Sequence, residues 1–199
     1  NDNEREAQFD YSSGIMSGVE FISNRLGVAC YVWAYIYRLD LIRQNQIRFY
    51  EGCYFDDTPW LPRVLQCASR VACTAVRHQY YMQRSDSMVR AQSLASIHRQ
   101  VDGLMDLLSV LLAQMQQAPD LTYPWYNMMI AHTTVSLLTR LSVHMYSFRK
   151  KYLSDLQRLA VLPLTSYGST PKTLRKIRLL NFSPKLFCFL IHWKNDVKK

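Results

Sequence analysis

Apolar residues recur along most of this chain at steps of three and four, the spacing that brings them onto one face of an α-helix. The first such series runs Ile15, Val19, Ile22, Leu26, Ala29, Trp33 and Ile36. It predicts a helix over about 15–50, with Ser12 and Ser13 as caps and Gly52 as its stop. Within it, residues 26–37 read LGVACYVWAYIY, twelve positions without a charge. With no polar face, this stretch is expected to be the enclosed centre of the fold, with Trp33 largely buried. It is too short to span a bilayer, which takes about 20 apolar residues.

Three further helices follow from the same pattern. Thr58-Pro59, preceded by Asp56 and Asp57 at the positive end, opens a helix over about 59–84 with Leu61, Leu65, Ala68, Ala72, Ala75 and Met82 inward. A third, over about 87–117, carries Leu94, Ile97, Val101, Leu104, Leu108, Leu111 and Met115 as a coiled-coil-like seam and ends before Pro119. The fourth, over about 124–162, lines up Met128, Ala131, Val135, Leu138, Leu141, Met145, Phe148 and Tyr152 and stops at Pro163. Short connections make sequential helices antiparallel. The expectation is an all-α protein, an antiparallel four-helix bundle over 1–162, followed at 163–199 by a linker and a basic, apolar C-terminal tail.

Composition agrees with this class: six glycines, seven prolines and 49% hydrophobic residues in 199 are enough for one domain with a real core. Charge changes the picture more. Residues 1–162 carry 16 Lys/Arg and 14 Asp/Glu, a net +2. Residues 163–199 carry Lys172, Arg175, Lys176, Arg178, Lys185, Lys194, Lys198 and Lys199 against Asp196 alone, a net +7. The five cysteines are odd in number, form no C-x-x-C pair and sit in apolar patterns, which points to buried thiols in an intracellular reducing compartment. The acidic start, NDNEREAQFD, resembles neither a signal peptide nor an Arg-rich transit peptide.

Catalytic and cofactor chemistry finds little purchase. No His has an acid three residues before it, so the Glu-x-x-His pairs of a di-iron bundle are missing. His98 and Asp102 stand at i, i+4, the spacing of a metal half-site, but lack a second His or Cys and read better as a surface hydrogen bond. His132 and His144 fall on different turns, and Cys67 and Cys73 are six apart. No nucleophile elbow, phosphate loop or dinucleotide fingerprint occurs. No metal or cofactor is expected.

Two stretches carry partner chemistry instead. Phe49, Tyr50, Tyr54, Phe55 and Trp60 lie in or beside a loop, and Tyr and Trp are enriched at interfaces. In the tail, Lys172, Arg175, Lys176 and Arg178 precede a break at Ser183-Pro184, after which Lys185, Phe187, Phe189, Trp193 and Lys194 frame the run LFCFLIHW. The first reading is a non-catalytic helical subunit or adaptor that docks on other protein subunits through this loop and tail. The alternatives are an RNA-binding helical protein using residues 172–199, with an anionic lipid surface as the related choice, and a helical enzyme or carrier with a small-molecule site between the first two helices.

Overall fold

Tyr123–His144 forms α5, a helix buried around most of its circumference, with one polar face of His132, Ser136, Thr139 and Arg140, and the other elements are arranged to cover the rest. Its buried residues include Trp125, Tyr126, Met129, Ala131, Val135, Leu138 and Leu141. Two buried hydroxyls on it return to the preceding turn, Thr134 Oγ1 donating to the Ile130 carbonyl at 2.8 Å and Ser142 Oγ to that of Leu138 at 2.5 Å. A buried polar group without such a partner would cost about 1–3 kcal/mol.

This is a computed structural model, and it describes residues 14–74, 76, 80, 82, 93–165 and 170–197. They are mostly helical. Before α5 come β1 (Ile15–Met16), α1 (Gly18–Asn24), a 3-10 turn at Val32–Ala34, α2 (Leu39–Gln44), α3 (Asp57–Cys67), β2 (Val71–Ala72) and α4 (Leu94–Met115). After it come a 3-10 turn at Tyr146–Phe148, α6 (Arg149–Arg158), α7 (Pro171–Phe182) and α8 (Pro184–Asp196). The two strands make a small antiparallel ribbon, Ile15 opposite Ala72.

The seam expected on α4 is real. Ile97, Val101, Leu104, Leu108 and Leu111 are buried, while Leu94 at its start faces solvent. α4 lies antiparallel to α5: Gln114 meets Tyr126 at one end and Gln100 meets Arg140 at the other. α1 and α3 cover the α5 start, with Trp125 Nε1 donating to the Gly27 carbonyl at 3.1 Å. α7 and α8 close the remaining side with Ile177, Leu180, Phe187 and Cys188.

The rest of the four-helix expectation gives way. The first helix ends at Asn24, and residues 26–37 run as extended chain and one 3-10 turn. Leu26 and Cys30 are buried, but Ile36 is 84% exposed and Trp33 is only half-buried, stacked on Tyr31 at 5.1 Å. Val28, Val32, Ile36 and four aromatics lose rotamer freedom in a helix, and Gly27 adds a backbone penalty. An apolar run of that composition suits a strand-like path equally well. The second helix stops at Cys67, since the chain must turn extended for β2 to pair with β1; its expected continuation to 84 falls largely outside the described residues. The fourth breaks at Met145, whose buried side chain and φ of −136° end α5 and turn Tyr146 toward α8. α1 and α3 approach closely: a Cβ on Gly18 would sit 1.7 Å from the Leu65 carbonyl oxygen.

Gly18 therefore fixes how closely α1 lies on α3. Its amide also donates to the Ala68 carbonyl at 2.8 Å. Gly18→Ala should lower stability by about 1–3 kcal/mol despite the better helix propensity of alanine, because the clash is with backbone. Gly27→Ala, with nothing within 4 Å of the new methyl, should not. Chemical denaturation of the two variants checks the contrast; equal midpoints would mean that α1 is not seated on α3 in this way.

Candidate functional site

The aromatic loop is packed inward. Trp60 is buried, with Phe49 stacked on it at 4.5 Å and Tyr37 edge-on at 5.1 Å. Tyr50 accepts a hydrogen bond from Gln114 Nε2 at 3.2 Å and lies under the Arg63 guanidinium at 5.3 Å. Tyr54 and Phe55 contact each other edge-on at 5.0 Å and press on Gly103, where a Cβ would stand 2.5 Å from that of Tyr54. Phe49 is the exposed member of this group, and the other four are partly or wholly enclosed. Trp60 is a core residue here, because its ring fills the space under Tyr37 and Phe49.

The tail divides by face. Ser183 ends α7 and caps α8, its hydroxyl accepting from the Leu186 amide at 3.2 Å, so the break expected at Ser183-Pro184 is present. Phe187 is 0% exposed, a correction to its reading as a contact residue: it faces α5, because one side of an apolar helix must cover the core. His192 anchors the same helix, stacking on Tyr146 at 3.9 Å and lying 3.1 Å from the Ser142 carbonyl. Asn181 holds the chain before α7 by two bonds to the Leu164 backbone, at 2.7 and 2.8 Å.

The outer face of α8 is a different surface. Leu186, Phe189, Leu190, Trp193 and Val197 are all exposed, Phe189 at 52% and Trp193 at 58%. At about 100° per residue they fall within a sector of about 100°, a continuous seam about 16 Å long. Lys185 borders it on one side and Lys194 on the other. Arg175 and Arg178 are exposed on α7, while Lys172 and Lys176 turn to a cleft against α5. The sequence reading named Phe189 and Trp193 but missed Leu186, Leu190 and Val197. Their 3-4 spacing, set against Phe187, Cys188 and Ile191 on the opposite side, was the available signal.

The remaining polar candidates are engaged structurally. Asp102 accepts from the Tyr152 hydroxyl at 2.6 Å, and His98 sits edge-on to Phe148 at 5.1 Å. Among the described residues no group of three His, Cys, Asp or Glu could hold a metal ion. All five cysteines are free thiols. No described helix is long and apolar enough to cross a membrane. The fold class is thus mostly α-helical; no family model, curated protein or solved structure matches the chain.

Burial of Cys30 and Tyr126 carries a pH signature. Desolvation pushes both up to about 12, Cys30 from 9.0 and Tyr126 from 10.0. Burial likewise raises Tyr35 and Tyr37. Each group holds its proton more tightly folded than unfolded, so its contribution is complete below the unfolded value and is lost as pH rises toward the folded one. The melting midpoint should fall as pH passes through 9 and 10, and Tyr126→Phe should reduce the slope. A midpoint that stays level to about pH 11 would contradict this burial.

Proposed function

We propose that this protein is a non-catalytic helical subunit that docks on another protein through the outer face of α8. The observation that carries the reading is the exposed seam of Leu186, Phe189, Leu190, Trp193 and Val197 on a helix whose opposite face is fully used. A helix that is apolar all round belongs in an interior. Here the inner half of that requirement is met by α5, and the outer half is left for a partner. The seam's 3-4 spacing suits an amphipathic helix or groove that receives alternate side chains, as in helix-in-groove recognition. Lys185 and Lys194 beside it call for acidic residues at the partner's rim.

Two observations rank this reading above the others. RNA recognition would need cations and stacking rings in line with a backbone; the seam has two rings, Phe189 and Trp193, among three aliphatic side chains, with cations only at its borders. A lipid-bound interfacial helix lies with its polar face toward water, whereas the opposite side of α8 is buried in protein. The aromatic loop adds Phe49 at most. A small-molecule site between α1 and α3 finds no support in a packing as close as that of Gly18 on Leu65.

Placing a photo-crosslinking residue at Leu190 in cells tests the proposal. The expected result is one dominant protein adduct, abolished by Trp193→Glu or Phe189→Glu. Because the seam is already exposed, these substitutions should change stability by no more than about 0.5 kcal/mol. Sedimentation with phosphatidylserine vesicles forms the second arm. Trp193-dependent vesicle binding with no protein adduct would overturn the reading in favour of a membrane face.

A further inference from the structure

Lys172 and Lys176 stand at i, i+4 on the first turns of α7 and border a cleft of about 310 Å³ against α5. The α5 wall is one helical face, His132, Ser136, Thr139 and Arg140. Thr173 completes the α7 wall, beside the lysines. Among the described residues no carboxylate lines this cleft. Three cationic side chains from two helices are therefore brought to one cleft with an imidazole and three hydroxyls, and no described residue of its lining is negative. Like charges at this separation repel, and folded chains do not assemble them in a shared recess without cost.

Several details show that the cost is real and that an acceptor would relieve it. Lys176 is half-buried, and burial together with Lys172 and Lys194 holds its ammonium below the ordinary lysine value. His132, exposed at the cleft rim, is likewise pushed below the ordinary imidazole value by partial desolvation and by Lys176. Thr139 lines the same cleft, and its buried Oγ1, closed to solvent, has no hydrogen-bond partner. A buried hydroxyl in that state is uncommon in folded proteins. Arg140 uses one guanidinium nitrogen on Gln100, which fixes the fork at the cleft edge. The positive end of α7 adds its dipole, since Lys172 and Thr173 belong to its first turn.

We infer that the cleft between α5 and α7 binds a small phosphorylated ligand, its phosphate group held by Lys172, Lys176 and Arg140, beside the Thr173 hydroxyl that bonds Thr170 at 3.0 Å. The volume is at the lower end of ligand sites, which fits a phosphate monoester with a compact organic part. A soluble monoester and the phosphorylated headgroup of a lipid share this chemistry. The inference stands on a surface separate from the α8 seam, and neither depends on the other.

Calorimetric titration of the full chain with inositol 1,4,5-trisphosphate and with glycerol 3-phosphate tests it. Saturable binding of one equivalent is expected. Lys172→Gln and Lys176→Gln should each weaken it about tenfold, the loss of one hydrogen bond to a charged group. Both variants should melt no lower than the parent, because a repulsion has been removed. Thr139→Val should leave stability unchanged or improved, and Arg175→Gln, outside the cleft, should leave affinity as it was. Sedimentation with phosphatidylcholine vesicles containing phosphatidylinositol 4-phosphate separates the two sources: cleft-dependent sedimentation identifies a headgroup, and titration without it identifies a soluble monoester. No saturable binding to either probe, or a loss with Arg175→Gln equal to that with Lys176→Gln, would overturn the inference.

Discussion

The covering of α5 is the constraint on which the rest of this structure depends. A helix with Trp125, Met129, Ala131, Val135, Leu138 and Leu141 distributed around it must find apolar neighbours on nearly every side. Burying a side chain such as Leu138 is worth about 1.5–3 kcal/mol, and leaving it wet forfeits that. α4 takes one side as an antiparallel partner, α1 and α3 take the start, and α7 with α8 take the side that remains. The basic C-terminal segment is thus part of the core through Ile177, Leu180, Phe187 and Cys188, even though its charges suggested a free tail.

That arrangement has a functional consequence. Because α8 spends its inner face on α5, its outer seam is held rigidly, and a partner would meet a preformed surface with little ordering cost. The same docking of α7 carries Lys172 and Lys176 to the face of α5 that presents Arg140 and His132. Seam and cleft both follow from the packing of α7 and α8 on α5, and Lys194 at the border of the seam acts on Lys176 in the cleft.

The parts of the fold legible in the sequence were those where the apolar period is long and unbroken. Ile97 to Leu111 on α4 could be read directly, as could the start of α3 near Thr58-Pro59 and the break at Ser183-Pro184. Residues 26–37 misled because an uncharged run has no phase: the same twelve residues satisfy helix and extended chain, and β-branched and aromatic side chains tip the balance to the latter. The site was legible in part. Lys185, Phe189, Trp193 and Lys194 were named from composition, but composition alone could not separate them from Phe187, which differs only in its angle around the helix. The cleft could not be read at all, since Arg140 and Lys176 come to line one recess only when α7 folds back on α5.

Hydrogen exchange of the full chain under mild denaturant tests most directly whether α7 and α8 belong to the core. If they complete the cover of α5, the amides of Phe187 and Cys188 should exchange through the same cooperative opening as those of Leu137 and Leu138, with matching free energies and denaturant slopes. Amides of α8 that exchange at the rate of an unstructured peptide while α5 stays protected would contradict the account, because α5 would then be stable with one side uncovered.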